Sequence, residues 1–289
     1  MSEAIQTGRE ITRAVPWFGA NAANSQLPAV YLKTCKWVAI LFAGSACETR
    51  HFGKSVQIVC SDLHSDLITL YKVIQDPELK SGLGYRLAQK LFHPATLEEA
   101  RETIKRGRGG NSLFGSGGEK PGKLDIAEAY FVVCWMGRSA VAGTRGEENV
   151  SLALRYDAGG GDPVTRYHSA IEALDAWSLA WRRVAFTCES AFDVLERIRN
   201  APDESKGIYA DPPWPDDGDG YVHRFSDADQ RRLAKELREM PKVQMCVRFG
   251  DHPLIRELYP ESAWVWNMAK GRDQDRKDKA EVFLTRRLP

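Results

Sequence analysis

Residues 37–62, WVAILFAGSACETRHFGKSVQIVCSD, carry the pattern from which the fold is read. WVAILFAG (37–44) is an apolar run ending in small residues, as a buried strand entering a tight turn should. VQIVCSD (56–62) is a second short strand that closes on Asp62. HSDLITLYKVIQD (64–76) then places Leu67, Ile68, Leu70, Tyr71 and Ile74 on one helical face. Glycine at 44 and an acid about 20 residues later form the spacing in which a loop approaches a nucleotide and a carboxylate meets ribose hydroxyls. Ala46 stands where a full G-x-G-x-x-G would have its second glycine. Read alone, the loop is equally a structural turn, and Asp62 a solvated strand end.

The same alternation continues downstream. IAEAYFVVCWMGRSAVAG (126–143) and SAIEALDAWSLAWRRV (169–184) each predict a helix, AFTCES (185–190) a strand, and AFDVLERIRN a helix. GIYADPPW predicts a strand entering a loop, and FSDADQRRLAKELREM a helix capped by Ser226 or Asp227. VQMCVRF, HPLIRELYP, AWVWNMA and AEVFLTRR complete a strand, helix, strand, strand order. Such alternation predicts an α/β fold with a doubly wound, mostly parallel sheet covered on both faces.

At 289 residues the chain can bury a large core. Its net charge of +1 lacks the overall basicity of a general nucleic-acid binder, so any such partner must be held locally. Between residues 80 and 124, nine Lys or Arg face four acids, and RGRGGNSLFGSGGEKPGK (106–123) predicts a Gly-rich basic loop or a plain linker. Six scattered cysteines without C-x-x-C pairs predict reduced thiols and no metal site. No apolar run reaches the ~20 residues that span a bilayer, which predicts a soluble, cytoplasmic protein.

In doubly wound sheets, ligands lie beyond the carboxyl ends of the strands. ADPPW (210–214) ends one of them. Its two prolines fix φ and stiffen the path, so that a carboxylate, a carbonyl and an aromatic face can surround one planar group. A nucleobase amine fits: two acceptors take its hydrogens and the ring stacks on Trp214. A D-P-P turn without chemistry is the bland alternative.

PWFG, LFAGSA, CSDLHSDLITLY, FTCESA, ADPPW and KAEVFLTRR, in this order and spacing, resemble the Dam-like, alpha-group N6-adenine DNA methyltransferases. The resemblance covers about 15–76 and 165–288. It implies a Rossmann-like class I methyltransferase fold using S-adenosylmethionine, with an inserted, largely helical target-recognition region. The implied division is 1–76 (cofactor motifs), 77–165 (target recognition and DNA binding) and 166–289 (catalytic DPPW). It implies cofactor roles for Trp17, Phe18, Gly19, Phe42, Ala43, Gly44, Asp62, Glu189, Ser190, Ala191 and Asp211. Asp211, Pro212, Pro213 and Trp214 would form the catalytic tetrad acting on a flipped-out adenine. Double-stranded DNA would be the partner, with Arg86, Lys105, Arg106, Arg108, Lys120 and Lys123 on its phosphates and no obligate protein partner. Ala20 and Asn21 depart from the W-x-G-G-K stretch of relatives, as Ala46 and Trp214 depart from their glycine and tyrosine. An RNA or DNA-cytosine amino methyltransferase, or a silent DNA-binding relative, stands as the alternative. Pro215–Gly220, acidic and Gly-containing, is expected to be a mobile lid over the target base.

Overall fold

The computed structural model describes residues 13–20, 23–109, 119–138, 142–154, 161–216, 220–272 and 278–286. After a short helix α1 (Leu27–Tyr31), the parallel strands are β1 (Trp37–Leu41), β2 (Gln57–Ser61), β3 (Val184–Thr187), β4 (Lys206–Ala210) and β5 (Gln244–Gly250). β6 (Trp264–Arg272) and β7 (Asp278–Arg286) form an antiparallel pair, with β7 seated on β5. The sheet order is β3-β2-β1-β4-β5-β7-β6. This is the doubly wound, mostly parallel sheet that the alternating pattern predicts, Rossmann-like as the resemblance implies.

The two-residue period of the strands builds two cores. Val38, Ile40, Tyr209, Cys246 and Phe283 face one side, while Ala39, Leu41, Ile208, Val247 and Leu284 face the other. β1 is at most 1% exposed from Val38 to Leu41, and Val38, Ile40 and Leu41 each contribute about 1.5–3 kcal/mol on burial. The first face is covered by α2 (Ser65–Gln75), α3 (Pro77–Ala88), α4 (Pro94–Gly107), α5 (Lys123–Met136), α6 (Pro163–Glu172) and α7 (Leu174–Trp181). The second is covered by α8 (Ala191–Arg199), α9 (Asp227–Arg238) and α10 (Pro253–Leu258).

Two local expectations change. The stretch 169–184 is two helices, because α6 starts earlier, at Pro163 behind the Asp162 cap, and ends before α7 begins at Leu174. The helix expected to reach 143 stops at Met136. Gly137 caps it in extended geometry, and a Cβ there would stand 2.5 Å from the Val133 carbonyl. Between 77 and 109 the chain forms α3 and α4, in keeping with the largely helical insertion implied by the resemblance, and α3 to α6 share one core with α2 and α7. Of the expected 106–123 loop, residues 110–118 lie outside the described residues, as do 217–219 of the expected lid. Ser226 is the N-cap of α9, in a reciprocal capping box with Asp229.

Candidate active site

Register decides what meets at the carboxyl edge. Leu41 pairs with Ser61 on one side and Ala210 on the other, so the residues that follow, Phe42, Asp62 and Asp211, leave the sheet side by side. The reversal of strand order lies between β1 and β4, where doubly wound sheets form their ligand crevice.

Phe42, Gly44 and Ala46 all take left-handed backbone angles, with φ of 57°, 46° and 49°. The loop is held by its neighbours. Asp62 Oδ2 accepts from the Gly44 N–H at 2.9 Å, and Tyr71 Oη donates to the Gly44 carbonyl at 2.6 Å. Asp62 Oδ1 accepts from the His64 N–H at 2.9 Å. The Asp62 carboxylate thus ties the glycine loop to the start of α2. Ala43 and Ala46 are buried.

Trp17 lies over this loop. A Cβ at Gly44 would stand 2.8 Å from the indole Cδ1, and one at Gly143 2.3 Å from Cζ2. The ring is therefore sandwiched between two positions that only glycine can fill. Phe18 donates its N–H to the Ala142 carbonyl at 3.1 Å and sets its ring on Tyr221 at 5.2 Å. Gly19, at φ 71°, turns its carbonyl onto Arg248 Nη1 at 3.0 Å. Asn21 lies outside the described residues.

On β3's side, Ser61 Oγ donates to the Glu189 carbonyl at 2.7 Å, and Ser190 caps α8 through the Phe192 N–H. The Glu189 carboxylate pairs with Arg197 at 2.5 Å, on the solvent side. Ala191 is buried as the first residue of α8.

The DPPW stretch is braced from two elements, β5 and α9. Asp211 Oδ2 accepts from Arg248 Nη1 at 2.7 Å, and the Trp214 side chain also hydrogen-bonds this carboxylate. Pro212 is buried, and the Pro213 carbonyl accepts from Gln230 Nε2 of α9 at 2.6 Å. Trp214 lies against Gly250, where a Cβ would stand 2.9 Å away, with the Arg248 guanidinium 5.1 Å from the ring centre. Burial pushes the Asp211 carboxyl up, against the lowering pull of Arg248.

Glu48 was not singled out by the sequence. It sits in the 3-10 turn after the glycine loop, 4% exposed, and burial together with the nearby Asp211 pushes its carboxyl up to about 7. Its ordinary value is 4.5, so the native state retains a proton that the unfolded chain releases between about 4.5 and 7. Stability therefore falls as pH rises through that window, by about 3 kcal/mol in total. Glu48→Gln should remove this slope, raising Tm at pH 8 while leaving it unchanged at pH 4.5, as thermal melts across the range would show.

A second polar cluster stands beside Trp17. His64 Nε2 meets Glu147 Oε1 at 2.9 Å, and Arg108 reaches Asp66, Glu147 and Glu148 at 2.8, 2.7 and 3.2 Å. Burial pushes Glu147 up, but His64, Arg108 and the Gly143 N–H together hold it at about 2.

Of the six expected phosphate contacts, Arg108 is engaged by these three carboxylates, and Arg86 pairs with Asp125 and Glu128 at 2.7 and 3.3 Å. Lys105, Arg106, Lys120 and Lys123 are exposed. A cavity of about 500 Å³ between α3, α4 and α5 is lined by Arg86, Lys90, Arg106 and Lys120, with Glu99, Glu119, Asp125 and Glu128 interleaved. The six cysteines are free thiols, and among the described residues no cluster of His, Cys, Asp or Glu is arranged to hold a metal ion. Among these residues no helix is long and apolar enough to cross a membrane.

Sequence reasoning missed Arg248, Glu281, Glu48 and Gln230. A signal existed for the first two, since each interrupts an apolar strand with a charge. Only pairing shows that they share a face: Phe283 opposes Arg248, and Glu281 is two residues from it.

No protein-family model matches the chain, and no curated protein matches it. Among solved structures, the O-methyltransferase from Bacillus cereus in complex with SAH is 9% identical, with 94% of this chain and 84% of that one covered at a TM-score of 0.40. The SAM-dependent methyltransferase from Agrobacterium tumefaciens is 10% identical, with 94% of this chain and 64% of that one covered at a TM-score of 0.37. At this distance, chemistry is argued from the chain's own residues.

Proposed function

We propose that this protein is an S-adenosylmethionine-dependent DNA adenine N6-methyltransferase. The observation that carries the reading is Asp211: a carboxylate at the end of β4, beside the end of β1, braced by Arg248 and followed by a rigid Pro-Pro-Trp. The glycine loop is where the cofactor would lie: it follows β1, Asp62 is bonded to it through the Gly44 N–H, and Trp17 packs against it between Gly44 and Gly143. Phe42, Ala43 and Gly44 would hold the cofactor with Trp17 and Gly19. Asp62 retains lone pairs beyond its two backbone bonds for ribose hydroxyls. Glu189, Ser190 and Ala191 would line the far end. When bound, S-adenosylmethionine supplies an electrophilic methyl group on a sulfonium.

The chain's residues act on the amine. Asp211 and the Pro212 carbonyl accept its two N–H hydrogens, and Trp214 stacks on the base, which aims the nitrogen lone pair into the cleft. As the nitrogen turns cationic, the Asp211 carboxylate stabilises it in a site from which water is largely excluded. An adenine inside a duplex cannot reach this cleft, so it must flip out at a cost of a few kcal/mol. The exposed Lys105, Arg106, Lys120 and Lys123 are the proposed phosphate contacts; Arg86 and Arg108 serve their carboxylate partners instead.

Incubation with methyl-labelled S-adenosylmethionine and genomic DNA from a host lacking adenine methylation tests the reading. Label is expected in DNA, as N6-methyladenine after digestion to nucleosides. Label confined to RNA, or on cytosine, would replace the substrate. No label in any nucleic acid would remove the activity.

A further inference from the structure

We infer that Arg248 and Glu281 are positioning residues for Asp211, forming a carboxylate–guanidinium–carboxylate trio of net charge −1 where the amine becomes cationic. The inference rests on the reading of Asp211 as the amine's acceptor. Arg248 is 4% exposed, and Glu281 is 4% exposed. The guanidinium forks onto Glu281, with Nη2 to Oε1 at 2.7 Å and Nε to Oε2 at 3.2 Å. Nη1 then holds Asp211 Oδ2 at 2.7 Å and the Gly19 carbonyl at 3.0 Å. Glu281 is itself fixed by Asn24 Nδ2 at 3.2 Å. A planar fork with four of its bonds satisfied cannot rotate, so the carboxylate it holds has one orientation.

The second carboxylate matters as much as the orientation. An Asp–Arg pair alone is neutral and would offer a developing cation little. With Glu281 neutralising Arg248, the charge of Asp211 remains available while its geometry stays locked. The same guanidinium stacks above Trp214 and bonds Gly19, so one side chain links the acceptor, the stacking face and the N-terminal motif.

The groups facing Asp211 are Tyr209 on β4, Cys246 and Arg248 on β5, Glu281 on β7, and Cys47 and Glu48 in the turn after the glycine loop. Glu281 raises the Asp211 carboxyl and Arg248 lowers it. Glu281→Gln, an isosteric change, should therefore move the acid limb of the kcat profile to lower pH. It should also lower the plateau rate, since the trio becomes neutral. Arg248→Lys keeps the charge but loses the fork, and should reduce kcat on the order of 100-fold, more than it raises the KM for S-adenosylmethionine.

The experiment measures label transfer to the same DNA against pH for the wild type, Glu281→Gln and Arg248→Lys, with thermal melts of each. In parallel, the Asp211 carboxyl is followed by carbon NMR in aspartate-labelled protein, identified by its loss in Asp211→Asn. The expected result is an Asp211 titration shifted to lower pH in Glu281→Gln, with the kinetic limb following it. An Asp211 titration identical in wild type and Glu281→Gln would overturn the inference, leaving Arg248 and Glu281 as a strut between β5 and β7. If the wild type transfers no label to DNA, the adenine reading fails while the resonance still decides the trio. If Glu281→Gln does not fold, Arg248→Lys decides by its kcat against KM, and equal effects on both count against positioning.

Discussion

Asp211→Ala is expected to lower methyl transfer to DNA by at least about 10²–10³-fold, the loss seen when one preorganised electrostatic partner of a transition state is removed. The fold should survive the change. Arg248 keeps its bidentate bond to Glu281, so no buried charge is left alone. Binding of S-adenosylmethionine should change little, because Trp17, Gly44 and Asp62 are held by bonds that do not involve Asp211. Single-turnover label transfer, cofactor titration calorimetry and a thermal melt check the three parts. A rate within about tenfold of the wild type would deny Asp211 its role.

Arg108→Ala is expected to destabilise the protein by about 3 kcal/mol, because removing one partner of a buried ion cluster leaves the others uncompensated. Asp66 and Glu147 have side chains only 8% and 3% exposed. For a domain of this size the melting temperature should drop by roughly 6–10 °C. Arg106→Ala, at an exposed position in the last turn of α4, should stay within ~0.5 kcal/mol of the wild type. Glu147, held at about 2, contributes stability that is fully present above its ordinary 4.5 and is lost as pH falls toward 2. The deficit of Arg108→Ala should therefore shrink in acid. A deficit that stays constant from pH 7 to pH 3 would show that packing, and not charge, is what Arg108 provides. The pair also separates stability from DNA affinity: Arg106→Ala should weaken binding at low salt without unfolding the chain.

Local chemistry made much of this protein legible before folding. Apolar runs in 37–44 and 56–62 are the strands that the two-residue period demands, and the helical period of Leu67 to Ile74 is that of α2. Helix ends were harder. Ala173 has no breaking residue to announce it, whereas Gly137 is a stop signal set inside a stretch that turns apolar again at Ala140. Composition over a long run hid the first end and outweighed a single glycine at the second. The expected basic patch was read from a count of charges along the chain, and a count cannot tell which carboxylates arrive from elsewhere. Arg108 meets Asp66 and Glu147, 42 and 39 residues away.

Strand, turn and proline chemistry in the chain itself dictated an α/β sheet with a glycine loop after the first strand, an acid after the second and a rigid Asp-Pro-Pro-Trp after the fourth. Each of those depends on neighbours within a few residues, where periodicity and backbone restriction are complete information. That Phe42, Asp62 and Asp211 stand at one edge is a consequence of parallel register across β2, β1 and β4. That Asp211 is held through Arg248 by Glu281 requires β7 to lie on β5 in the register that sets Phe283 opposite Arg248, which puts Arg248 and Glu281 on one face. Long-range pairing is a property of the folded sheet, and there the charge of the site is decided.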